Sequence, residues 1–252
     1  MPHMNALLLL VASLAIAGAC ARGPGSGAGA DSAATADSGV AASSRPAGDS
    51  GPAQPRRFIA GNMLTSTALP AFTVRVDSSL RYAGRFPIRI EDIAGGERHI
   101  FIDTTGGRVE RMLIFQFEGF LPGVHDQYRY PMRNPVTLGG RTYTHNTFVY
   151  SHAAAVREGP GREVDATLRY LRGMGLAVPD EQLMARFARI LEDPRHEVLI
   201  FYQEAAESQG LTMARIADEN GFRPEYRWVS DSMTARARRA FTVEEEGAAG
   251  RG

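Results

Sequence analysis

The run from Arg108 to Phe120, Arg-Val-Glu-Arg-Met-Leu-Ile-Phe-Gln-Phe-Glu-Gly-Phe, constrains the fold more than any other stretch of this chain. In an extended strand, successive side chains point to opposite faces. That alternation puts Val109, Leu113, Phe115 and Phe117 on one face and Met112, Ile114, Gln116 and Glu118 on the other. A strand that is apolar on both faces belongs at the centre of a sheet covered on both sides. Neighbouring runs alternate as well: Phe72 to Val76, then Phe86, Ile88 and Ile90, then His99 to Asp103, and later Arg141 to Ser151. Gly95-Gly96, Gly106-Gly107 and Gly139-Gly140 read as turns between them, and serial hairpins predict an antiparallel meander.

The period changes in the second half. Val164, Leu168 and Leu171 recur at helical spacing, as do Leu183, Phe187, Ile190 and Leu191, with Pro179 at a first helical position and Asp193-Pro194 as a stop. This predicts a helical hairpin. Glu197 to Tyr202 returns as a strand, followed by a helix near Thr212 to Asn220 closed by Gly221 and another near Asp231 to Phe241. The expected fold is α+β: a curved antiparallel sheet, a β-meander, with the helical hairpin and the C-terminal helices packed on one face. It forms one domain over residues 58–243, with a disordered tail over 244–252.

Ahead of the domain lie two segments of different composition. Residues 6–16 are an apolar run of signal-peptide length, too short to span a bilayer. The run leads into Ala17-Gly18-Ala19-Cys20, which resembles the lipobox of bacterial lipoproteins. The resemblance implies that residues 1–19 are removed and that Cys20 carries the lipid. It also implies a membrane-anchored exported protein, at the outer membrane and facing the periplasm or the surface. An ordinary secretory signal fits the same residues and the same cut after Ala19. From Ala21 to Arg57 the chain is Gly, Ala, Ser, Asp and Pro with Val40 as its one large aliphatic residue. Such a composition cannot offset the entropy of ordering, so residues 20–57 are expected to be a lipidated cysteine and a flexible tether, with a reach of roughly 30 to 40 Å.

Composition narrows the function classes. The 28 basic residues are all arginine and balance 28 acidic ones. The zero net charge offers no general attraction for nucleic acid, and the absence of lysine removes Schiff-base and phosphate-loop chemistry. With Cys20 as the single cysteine, there is no disulfide framework or thiolate cluster. Leu211 to Phe222 is similar to the first helix and turn of helix-turn-helix activators, but Pro224 falls where the recognition helix would run. His99 and Asp103 share a strand face yet need a third ligand to hold a metal, so no metal and no cofactor are expected.

Glu118 is the best placed reactive side chain, near the end of the most apolar strand, where it is either ion-paired, with Arg111 or Arg141, or part of a site. The expected site brings Glu118, His145 and Tyr202 together, on the assumption that their strands are neighbours. Two functions remain open. One is a non-enzymatic binding or assembly module for a small ligand or an envelope protein. The other is an envelope hydrolase using a carboxylate and a histidine.

Overall fold

The computed structural model describes residues 56–218 and 221–244, so the signal segment, Cys20, most of the tether and most of the tail lie outside the described residues. The chain begins with three short strands, β1 (Arg57–Ala60), β2 (Met63–Ser66) and β3 (Phe72–Val76). Then come β4 (Arg81–Ile90), β5 (Ala94–Thr105), β6 (Arg108–Phe120), β7 (Val136–Leu138) and β8 (Arg141–Ser151). Helices α1 (His152–Glu158) and α2 (Glu163–Gly173) follow, then β9 (Glu181–Ile190) and β10 (His196–Ala205). One helical turn, α3 (Met213–Ile216), leads into the two-residue strands β11 (Ala217–Asp218) and β12 (Gly221–Phe222). Helix α4 (Arg227–Ala240) and β13 (Phe241–Glu244) end the domain.

Mixed sheet and helix with antiparallel pairing is what the residue pattern predicts. The main sheet has seven strands in the order β4-β5-β6-β10-β9-β8-β7, and a second sheet has four in the order β1-β2-β3-β13. The expected meander is therefore two meanders. The strands from β4 to β6 run in sequence, the strands from β7 to β10 run back toward them, and β10 closes against β6. On the inner face, Leu113, Phe115 and Phe117 pack with Val198, Ile200, Leu183 and Phe187 against Leu64, Phe72 and Val74 of the small sheet and Val229, Met233 and Ala237 of α4. On the outer face, Ile100, Ile102, Met112 and Ile114 pack with Leu171 of α2. Both faces of β6 are covered, and helices lie on both faces rather than on one.

Several expectations are corrected. The segment from Leu183 to Leu191 is not a helix. Its Leu183, Ala185 and Phe187 alternate with Gln182, Met184 and Arg186, and pairing along both edges with β8 and β10 decides the ambiguity in favour of a strand. The helical pair is α1 and α2 instead. Helix α1 is capped by Ser151, whose hydroxyl accepts from the Ala154 amide and donates to Asp180. The helix expected from Thr212 shrinks to one turn and a hairpin, which leaves no helix-turn-helix. Gly95 and Gly96 lie inside β5, not in a turn. A side chain at Gly96 would place its Cβ 1.8 Å from the Phe117 carbonyl oxygen. Val109 joins the Met112 face because the ladder shifts register between Asp103 and Thr104. Arg57, assigned by composition to the tether, opens β1, and Glu244 closes β13.

Two features fix the edge strand β4. Pro87 is tolerated there because an outer strand needs no amide donor on its free side. Gly84 holds φ at 133° beside a register shift, leaving room for the Tyr170 hydroxyl of α2 to donate to the Ala83 carbonyl at 3.1 Å.

Phe115 tests the sandwich. It is fully buried and edge-on to Phe101 and Phe241, at centroid distances of 6.1 and 5.8 Å. Phe115→Ala is expected to cost about 3 to 5 kcal/mol in chemical denaturation. A loss below about 1 kcal/mol would mean that β6 is not enclosed between the small sheet and the outer helices.

Candidate functional site

The three residues expected to converge do not. Glu118 lies on the outer face of the sheet, directly opposite Glu197 of β10. Tyr202 pairs with Leu113 and faces the inner core, where its hydroxyl donates to Glu204 at 2.8 Å. Glu204 is in turn held by Arg236 of α4, with Nη2 to Oε2 at 2.8 Å. His145 also faces inward, 4.7 Å from the Phe187 ring centroid, with Thr234 near its Nε2. Burial, and then the charge of Arg238, lowers its pKa. Strands β6 and β10 are neighbours, but β9 separates β10 from β8. The assumed adjacency therefore holds for only one pair, and there the alternation sends Glu118 and Tyr202 to opposite faces.

Glu118 belongs to a buried polar seam. Arg98 of β5, enclosed by protein, donates from Nε to Gln116 at 2.5 Å and from Nη1 to the Glu163 carbonyl and the Thr167 hydroxyl of α2. Gln116 donates to Glu118 Oε2, and the Tyr128 hydroxyl donates to Glu118 Oε1 at 3.1 Å. Tyr130 donates to Glu197 Oε2 at 3.1 Å. These partners replace the expected arginines: Arg111 bonds Asp103, and Arg141 bonds Glu192. Burial first, and the neighbouring Glu118 charge second, push the Glu197 carboxyl well above the ordinary range, so Glu197 keeps its proton at neutral pH. The loop carrying both tyrosines is tied down by Arg195, which donates to the Leu121 and Val124 carbonyls. This seam is sealed, and it docks α2 and the loop onto the sheet.

An open cleft of about 480 Å³ lies elsewhere, bordered by Arg57, Arg85, Phe86, Pro87, Gly96, Glu97 and Phe117. The two edge strands β1 and β4 contribute to it, together with β5 and β6. Arg57 donates from Nη1 to Glu97 Oε1 at 2.7 Å and from Nη2 to the Leu69 carbonyl at 2.7 Å, and its guanidinium lies 3.9 Å over the Phe117 ring. Arg85 stands 3.8 Å from Glu97 Oε2. Behind Glu97 sits His99, fully buried, with Nε2 at 3.6 Å from Oε1 and Nδ1 at 3.2 Å from the Tyr82 hydroxyl. The His99 ring first, and then the Arg57 guanidinium, hold the Glu97 carboxyl down at about 2, against the cost of partial burial. Burial pushes the Tyr82 hydroxyl up to about 12.

Of this cluster, sequence reasoning singled out only His99, and paired it with Asp103. Glu97 and His99 two apart on one strand was a readable signal for a shared face. Arg57 and Arg85 carried none, since they arrive from separate elements. Among the described residues, no group of three or more His, Cys, Asp or Glu side chains is placed to hold a metal ion. Comparison of the chain with family models, with curated proteins and with solved structures finds no match.

The proton held by Glu197 makes stability depend on pH. Folded Glu197 holds its proton to higher pH than the unfolded chain does. Its contribution is therefore complete below the ordinary value of 4.5 and is lost as pH rises through the neutral range toward the raised value. Denaturation of the wild type should show stability falling over that window, by at most about 1.4 kcal/mol per pH unit for one proton. Glu197→Gln should flatten the slope. Equal slopes in the two proteins would mean that folded Glu197 does not hold its proton above the ordinary range.

Proposed function

We propose that the protein is exported and lipid-anchored through Cys20, and that its domain is a non-enzymatic binding module whose ligand occupies the cleft between Arg57, Arg85 and Glu97. The observation that carries this reading is the state of the cleft's charged groups. Arg57 and Glu97 are fixed by each other and by the Leu69 carbonyl, with His99 behind Glu97 at 3.6 Å, an arrangement suited to holding a ligand in one orientation. A carboxylate held ionised down to about 2 is a weak proton acceptor near neutral pH. The other reactive candidates, Glu118, Glu197, Tyr202 and His145, are buried in the core. Among the described residues no helix is long and apolar enough to cross a membrane, so attachment in this reading rests on Cys20. The segment of residues 21–55 then gives the domain its reach from an outer membrane, toward a small ligand or an envelope protein partner.

A second reading, a hydrolase working through a carboxylate and a histidine, is favoured by one observation: Glu97 and His99 sit 3.6 Å apart at the cleft. It predicts a turnover activity that Glu97→Gln and His99→Asn each abolish in a protein that still folds. The binding reading predicts ligand retention without turnover, seen as added mass when the protein purified from its own envelope is measured under native conditions.

The anchor is tested separately. Cys20→Ser should move the protein from the detergent phase to the aqueous phase in cell fractionation. Continued partition with membranes would place the anchor elsewhere.

A further inference from the structure

Resting on the reading of the cleft as a ligand site, we infer that its ligand is a small organic anion, a carboxylate or phosphate group carried on a compact body, docked on Arg85 and Arg57. The charges at the cleft are unbalanced. Arg57 and Arg85 border it against a single carboxylate, Glu97, and the exposed Arg56 stands close enough to Arg57 to act on it electrostatically. Other arginines of the neighbourhood are spent on partners of their own, Arg89 on Asp92 and Arg162 on Glu91.

Arg85 is available to a ligand. Its side chain is 54% exposed and it reaches Glu97 at 3.8 Å, beyond hydrogen-bond distance. Arg57 is the fixed half of the site. Its guanidinium is held at two nitrogens and flat on Phe117, while Nε is buried with no acceptor among the described residues. A buried guanidinium N–H without an acceptor is a feature proteins rarely leave, and an anionic oxygen from a ligand is the partner that would satisfy it with a charge-assisted bond. His99 Nε2 is likewise buried with no hydrogen-bond partner and faces Glu97. That leaves Glu97 a second neighbour if Arg57 turns part of its charge toward a ligand.

The volume of about 480 Å³ exceeds what a bare inorganic ion needs and falls within the range of small-molecule sites. Gly96 borders the cleft through its backbone, and the backbone of Phe117 and Glu118 leaves no space for a side chain there. Arginine pairs with either planar carboxylates or phosphate oxygens, so the two sources are separated by experiment.

The test uses the full folded domain with its tether and three probes: benzoate, phenyl phosphate and benzamide. Affinities come from calorimetry, and the site is read from the amide resonances of Arg85, Gly96 and Glu97. Benzoate or phenyl phosphate should shift these resonances and bind at least about tenfold more tightly than the neutral, similarly shaped benzamide. Whichever anion binds more tightly names the source. Arg85→Gln should remove most of that advantage, lowering the affinity of the anions more than that of benzamide. Glu97→Gln, by removing the competing carboxylate, should strengthen anion binding, a gain that a merely structural role for Glu97 would not produce. Benzamide binding as tightly as both anions, or anion binding indifferent to Arg85→Gln, would overturn the anion inference while leaving the cleft as a binding site. If none of the three probes moves the three resonances, the inference and the reading of the cleft beneath it both fall.

Discussion

Because β6 and β10 are covered on both faces, each polar side chain they place on the outer face must find its partner inside the protein. That requirement organises the outer layer. Arg98 cannot reach water, so it takes Gln116 beside it and two oxygens from α2. Gln116 passes the interaction to Glu118, which accepts from Tyr128, and Glu197 opposite it, held protonated by burial and by the Glu118 charge, accepts from Tyr130. The helix, the sheet and the long loop after β6 are thereby joined by one chain of hydrogen bonds. Losing one member would leave its neighbours buried and unsatisfied, which is costlier than the loss of a single exposed contact.

The inner face obeys a different rule. Its contacts are apolar, between the main sheet and a smaller sheet whose strands come from opposite ends of the domain, β1 to β3 and β13. Both sheets must end somewhere, and an edge strand presents unpaired backbone. The cleft is lined from two such edges, β1 and β4. There the side chains are charged, as edge strands commonly are, and the same arginines that discourage strand addition give the cleft its excess of positive charge.

The sequence revealed those parts of the fold that depend on local alternation. The run Met112 to Phe115 is unambiguous because Met, Leu, Ile and Phe fill both faces without a polar interruption, and β6 is enclosed as the pattern requires. The segment Leu183 to Leu191 satisfied both the helical and the extended period, and only the presence of β8 and β10 on its flanks decides between them. Sheet order was out of reach, because which strand lies beside β6 depends on how two meanders meet. The site was less legible than the fold for the same reason. Glu118, His145 and Tyr202 were chosen for their chemistry, but facing direction is set by register, and one residue of register separates a sealed outer seam from an inner core. Arg57 was missed because a boundary drawn from composition placed it outside the domain.

That one-residue step also bears on chemistry. Glu97 and Glu118 occupy adjacent strands, yet Glu97 pairs with Phe117 and Glu118 with Gly96, so their side chains leave the sheet on opposite faces. Their surroundings differ as sharply. Arg57 and His99 hold Glu97 ionised, whereas on the other face burial and a like charge hold Glu197 protonated. Two carboxyls driven apart in this way make an acid and a base when they share a cavity. Here the sheet itself lies between them, and no substrate in the cleft could touch both. Each is better accounted for by the layer it belongs to: the protonated Glu197 by the need to bury a polar seam, and the ionised Glu97 by the need to position an arginine at an open edge.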